Sequence, residues 1–193
     1  MGRPRQFDEE QVLDQAMKVF WRQGYAATSI KDLVGETGLN PGSLYEAFGD
    51  KHDLFLAAIS HYRGTIVRRR LEEMAKPGPG YDRIAGFFND LVQFSTGEGR
   101  LMGCLMTNSA VELAPHDRDV AVLVAANLME MERAFHGLVV RGQQDGSIVN
   151  DDPPDELARF LTVSVQGLRV MSKANPDEAA LNGVVRQTLS VLR

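Results

Sequence analysis

Apolar side chains in this chain recur three or four residues apart, and nowhere do they alternate with the period of two that marks a half-buried strand. The first such stripe, Val12, Ala16, Met17, Phe20 and Trp21, predicts a helix over 8–23. Phe7, Asp8 and Gln11 supply its staple, N-cap and capping partner, and Gly24 stops it. Ile30, Leu33 and Val34 predict a second helix, capped by Thr28 or Ser29 and stopped by Gly38. Asn40 caps a third: Pro41 fits its first position, Ser43 its third, and Leu39 can close on Leu44 as a staple. Gly49 ends it. Asp50, with Asp53 three residues on, caps a fourth helix that carries Leu54, Phe55, Ala58, Ile59 and Tyr62 inward and runs to about Met74. Lys76-Pro77-Gly78-Pro79-Gly80 is the clearest break. Beyond it the pattern predicts five more helices, over about 81–95, 103–113, 117–144, 154–173 and 176–193. The expected fold is all-α, with about nine helices.

Composition narrows the class. A chain of 193 residues can bury a real core. No apolar run approaches the ~20 residues of a membrane span, and MGRPRQFDEE has no signal-type apolar segment. The single cysteine excludes an internal disulfide framework and fits a reducing compartment, so a cytoplasmic protein without a membrane partner is expected. His52, His61, His116 and His136 are scattered, and no phosphate loop or catalytic constellation stands out. We therefore expect no enzyme activity, no cofactor and no metal site. The net charge of −5 does not by itself suggest a nucleic-acid binder. Residues 1–52 hold Arg3, Arg5, Lys18, Arg22, Lys31 and Lys51 against eight acids. The signal lies in placement: Arg3 and Arg5 form a short arm, and Lys31 and Lys51 flank the second and third helices.

Those two helices and their Gly turn have the layout of a helix-turn-helix, whose second helix enters the DNA major groove. The run Thr28-Ser29-Ile30, Gly38, Pro41-Gly42-Ser43-Leu44-Tyr45, Phe48, Lys51 and Leu54 resembles the N-terminal signature of TetR-family transcriptional regulators. The resemblance covers about the first quarter of the chain. It implies a DNA-binding domain over 1–51 and a ligand-sensing and dimerisation domain over 52–193. It also implies a homodimer that binds a palindromic double-stranded operator as a repressor. Pro41, Gly42 and Ser43 are then placed for base edges. Thr28, Ser29, Tyr45, Lys51 and His52 are placed for phosphates, and Arg3 and Arg5 for the minor groove. Tyr45 also has a plain reading as a packing tyrosine. Ala47 stands where the family often carries His or an aromatic that contacts phosphate. The alternative from another class is a helical protein–protein interaction module built on the same motif.

The remaining helices offer a sensor and an interface. Phe87, Leu91, Met102, Cys104, Leu105, Asn108, Met129 and Phe135 are candidate linings for a small-molecule inducer site, and equally the filling of an ordinary core. Cys104 sits near a predicted helix start, four residues after Arg100, a setting that lowers a thiol pKa and makes it a target for an electrophile; the plain alternative is an inert buried thiol. Leu157, Phe160, Leu161, Ser164, Leu168 and Met171 on the eighth helix, with Leu181, Val185, Thr188 and Leu192 on the ninth, are the candidate dimer interface, or else intrachain core. Arg63, Arg68, Arg69 and Arg70 read as a solvated helix face.

Overall fold

The structure, a computed structural model, describes residues 7–193. Arg3 and Arg5 lie outside the described residues. Among these the chain forms α1 (Glu9–Gln23), α2 (Ile30–Thr37), α3 (Pro41–Phe48), α4 (Lys51–Tyr62), a π-helical turn (Arg63–Val67), α5 (Arg68–Ala75), α6 (Gly80–Thr96), α7 (Leu105–Glu112), α8 (Arg118–Asp145), α9 (Pro154–Ala174) and α10 (Glu178–Ser190). The α4, π and α5 segments are one continuous rod, so the described chain has nine rods and no strand, as expected.

The caps form where the polar residues put them. Asp8 accepts from the Glu10 and Gln11 N–H groups. Ser29, not Thr28, caps α2 in a reciprocal box with Asp32, and Asn40 accepts from the Ser43 N–H at 2.9 Å. Asp50 and Asp53 make a second box on α4. Gly38 takes φ +69°, the left-handed turn that sends the chain from α2 into α3 and that an L side chain adopts at a cost.

Two cores hold the molecule. In the first, Met17, Phe20 and Trp21 of α1 pack with Leu33, Leu44, Leu54, Phe55 and Ile59 of the motif and α4, and the cluster continues into Leu105 and Met106 of α7 and Val120 and Val124 of α8. In the second, Phe87, Phe88 and Leu91 of α6 meet Phe135, Leu138 and Val139 of α8 and Leu161, Val165 and Leu168 of α9, closed by Leu181 and Val185 of α10.

The π turn does not show in the apolar pattern. The Arg68 N–H reaches back five residues to the Arg63 carbonyl, and the Thr65 hydroxyl donates to the His61 carbonyl at 2.7 Å. The wide turn inserts one residue into the helical register, so Val67 follows Tyr62 onto the inward face and Arg70 and Leu71 come next. This corrects the reading of the arginines as one solvated face. Arg68 and Arg69 are exposed, whereas Arg70 is turned inward.

Candidate functional site

One end of the molecule presents α3. Leu44 is buried against the first core, which leaves Pro41, Gly42, Tyr45 and Glu46 on the outer face, with Ser43 half-buried between them. Tyr45 is 44% exposed, so the packing reading does not hold for its ring. Lys51 Nζ stands 4.4 Å from the centroid of the Tyr25 ring, which holds the ammonium beside the N-terminus of α4 and near α3. Ser29 is exposed, with its hydroxyl on Asp32. Thr28 is a correction: it is 1% exposed and its hydroxyl donates to the Gly24 carbonyl at 2.6 Å, so it closes the α1–α2 turn and cannot reach a phosphate. His52 is half-buried, with Nε2 2.6 Å from an Asp117 carboxylate oxygen. Backbone N–H groups of Val120 and Asp119 and the His52 ring hold that carboxyl below its usual pKa against the opposing effect of burial. His52 thus ties the start of α4 to the start of α8. Asp50, His52 and Asp53 bring three ligand-type atoms within 4.8 Å, but both carboxylates are spent on capping α4.

A second site lies beneath this head. A chamber of about 20 Å³ is lined by Tyr62, Val67, Arg70 and Leu71 of the long rod, Phe87 of α6, Cys104 before α7, Asn127 and Met131 of α8, and Val165, Gln166 and Arg169 of α9. Cys104 is the N-cap residue of α7, with its Sγ 3.5 Å from the Tyr62 hydroxyl. Burial pushes the thiol up, but Arg169, the Tyr62 hydroxyl and the Thr107 backbone and hydroxyl outweigh it, so the pKa lies below the ordinary value. The cation responsible is Arg169, sixty-five positions on in the chain, and not Arg100, which is exposed. Burial first, and then Arg169, push the Arg70 guanidinium down to about 10. The Tyr62 hydroxyl is raised, by burial and then by the Cys104 charge.

Of the other predicted sensor residues, Phe87 lines the chamber, whereas Leu91 and Phe135 are core, both at 0% exposure. Leu105 is buried in the first core, with Met102 packed against it. The Asn108 amide donates to the Met102 carbonyl at 3.0 Å and braces the loop before α7. Met129 is a correction: it is 51% exposed on α8, and Met131, two positions on, faces the chamber instead. Helical periodicity over a long amphipathic helix cannot say which of the two points inward.

A short path joins chamber and head. The last residue of α7, Glu112, accepts from the Tyr25 N–H at 3.1 Å and the Ala26 N–H at 2.7 Å, in the turn between α1 and α2. Cys104 and Glu112 therefore occupy opposite ends of one helix of eight residues, a rod of about 12 Å at ~1.5 Å per residue. A second path is aromatic: Phe94 stacks on Trp21 of α1 at 5.6 Å, and Trp21 meets Tyr62 edge-on at 4.9 Å.

The expected interface is corrected in part. Leu157, Leu161 and Leu168 of α9, and Leu181, Val185, Thr188 and Leu192, are all below 5% exposed and belong to the monomer's own core. What α9 leaves outside keeps Phe160, Ser164 and Met171 of the expected set and adds Val163 and Val170. Phe160, Val163, Val170 and Met171 are 42–64% exposed, with Ser164 half-buried and Gly167 open beside them. An apolar groove of about 540 Å³ runs along this stripe to Met106, Val111 and Leu128.

Both halves of the chain match known proteins. Residues 12–58 match the family model for bacterial regulatory proteins of the tetR family, and residues 80–188 match that for the tetracyclin repressor-like C-terminal domain. The chain is 33% identical over its whole length to the HTH-type transcriptional regulator YezE of Bacillus subtilis strain 168, covering 100% of both. It is 29% identical to the HTH-type transcriptional repressor ComR of Escherichia coli K12, over 97% of this chain and 90% of that one. A cysteine-substituted form of the TetR family regulator CifR, solved with 26-base-pair operator DNA, superposes with a TM-score of 0.87 at 32% identity, covering 99% of this chain and 100% of that one. No helix among the described residues is long and apolar enough to cross a membrane. With the exposed third helix at one end and matching models over both halves, the chain belongs to the TetR family of helix-turn-helix transcriptional regulators.

Proposed function

We propose that the protein is a repressor that binds a palindromic operator as a homodimer and leaves it when the chamber at Cys104 receives a small molecule or a thiol-reactive electrophile. Residues 1–51 bind DNA and 52–193 sense and dimerise. Pro41, Gly42 and Ser43 face base edges; Ser29, Tyr45 and Lys51 face phosphates, and the Arg3–Arg5 arm supplies further contacts. The operator-bound CifR relative and the exposure of α3 support the DNA reading over a protein–protein module. Lys51→Ala is expected to weaken all duplex binding and to lower the slope of log K against log salt by roughly 0.9 for each phosphate that the ammonium neutralises, doubled in a dimer. An unchanged slope in a salt titration removes Lys51 from the phosphate-binding set.

The observation that carries the regulatory reading is α7, with Cys104 at its N-cap and Glu112, its last residue, bonded to the α1–α2 turn of the head. A ligand shifts the protein only if it favours one of two arrangements of the heads. Half-sites in this motif class are spaced at about one helical turn of DNA, ~34–36 Å, or its multiples, so a small displacement of the heads breaks register. In the covalent case the Cys104 thiolate attacks an electrophilic carbon and sulfur supplies both electrons of the new S–C bond. The pair from the broken bond leaves with the displaced group or, in a ring opening, stays on the ring oxygen and takes up a proton. The added bulk does not fit the chamber, and α7 moves.

The test measures operator affinity of wild type and Cys104→Ser before and after a mild electrophile, with folding followed by circular dichroism. Release in wild type and retention in Cys104→Ser are expected. Because the thiol pKa is lowered, labelling should reach its plateau at a lower pH than for a free cysteine. Equal release in both proteins, or no labelling of folded wild type, excludes the covalent route and leaves the noncovalent one.

A further inference from the structure

We infer that the chamber at Cys104 is an anion site that takes the carboxylate of a small organic acid, with the acid's apolar body lying in the cleft between α5 and α6. The inference rests on the reading of this chamber as the sensor and names the class of its ligand.

The chamber carries an excess of positive charge. Arg169 is 4% exposed, and its Nη1 is buried without a hydrogen-bond partner. Arg70 lines the same chamber. Neither has a carboxylate partner among the described residues; the contacts both make are to the Phe94 ring, with Cζ atoms 5.2 and 5.7 Å from its centroid. Two guanidinium groups on one small chamber are costly without an anion. A thiolate at Cys104 balances one of the charges and leaves the other. Asn127 is 3% exposed with its Oδ1 also unpartnered, and its amide can present either end to a ligand. The planar fork of an arginine pairs best with a carboxylate.

Shape narrows the class further. The chamber's 20 Å³ is small, which disfavours a bulky tetrahedral oxyanion more than a planar carboxylate. Arg70 and Phe87 are shared with the open cleft of about 540 Å³, where Met74, Phe87 and Phe94 offer apolar surface. That volume lies within the usual range for small-molecule sites, roughly 300–1,000 Å³. Arg70 and Phe87 make the chamber and the cleft neighbours, and the inference places the headgroup at Arg169 and the body in the cleft. Phe94, against both guanidinium groups, also stacks on Trp21 of the head, so occupancy is felt on the α1 side of the DNA-binding unit.

The test uses the full chain without DNA, at constant ionic strength, with benzoate and its neutral isostere benzamide as probes. Trp21, the single tryptophan, reports binding by fluorescence, and calorimetry gives the affinity. Benzoate is expected to bind at least about tenfold more tightly than benzamide. Arg169→Gln should abolish that preference, while Arg69→Gln at the exposed cleft mouth should keep it. Asn127→Asp places a carboxylate inside the chamber, so it should raise the melting temperature and exclude benzoate. Equal binding of the two probes, no binding of either at millimolar concentration, or a preference that survives in Arg169→Gln or Asn127→Asp overturns the inference. In a parallel titration with operator, benzoate binding without any change in operator affinity keeps the anion site and refutes the sensor reading. Thiol-driven release without benzoate binding does the reverse.

Discussion

Val163→Glu is expected to give a soluble, folded monomer whose operator affinity is lower by about a hundredfold or more. In the single chain Val163 is 64% exposed on α9, so a glutamate there is hydrated and should change monomer stability by no more than about 0.5 kcal/mol. In a two-fold dimer the same residue meets its own surroundings in the partner, and two like charges enter a dry interface together. An unpaired charge in such a place costs about 3–5 kcal/mol, which is a factor of roughly 10² to several times 10³ in association. A monomer engages one half-site and forgoes the gain of holding both. Sedimentation at micromolar concentration and titration of full and half operators provide the check. A wild type that sediments as a monomer, or a Val163→Glu protein that remains a dimer with unchanged affinity, defeats the proposal that the exposed stripe of α9 is the dimer interface. Leu168→Glu would be a poor probe of the same idea: Leu168 is 1% exposed in the monomer's own core, and the charge would unfold the chain before assembly was tested.

Glu112→Ala is expected to separate the two halves of the mechanism. The carboxylate accepts two N–H groups in the α1–α2 turn, at 3.1 and 2.7 Å, and its removal leaves a half-buried donor at Tyr25 without a partner. The cost should be about 1–2 kcal/mol of stability, since only one of the donors is shielded from water. The larger effect is on coupling. With the bond gone, movement of α7 no longer pulls on the turn, and alkylation of Cys104 should change operator affinity by less than about twofold, where wild type changes by about tenfold or more. Affinities measured before and after alkylation test this directly. If Glu112→Ala responds as strongly as wild type, the signal travels by another route, of which the stack of Phe94 on Trp21 is the nearest.

Local structure in this chain needs no knowledge of the tertiary fold. Asp8, Ser29, Asn40 and Asp50 cap helices because a side-chain oxygen next to free N–H groups satisfies them wherever the rest of the chain lies. Gly38 turns the motif because glycine alone adopts its dihedral without strain. Ser29 and Gly38 are also part of the family signature, and the helix-turn-helix, the all-α class and the family are legible from the sequence. The partners of side chains far apart in sequence are not. That Leu168 is core while Val163 is open depends on where α10 and α6 pack, and periodicity marks a face without saying what covers it. That Thr28 is consumed by the Gly24 carbonyl, and Glu112 by the α1–α2 turn, depends on two elements meeting in space. Chain proximity points to Arg100 as the charge that activates Cys104; Coulomb interactions follow distance in space, and the fold brings Arg169. Arg70 turns inward only because one extra residue in the π turn rotates the register of the rod, a choice made by packing against α6 and α8 that no local preference announces.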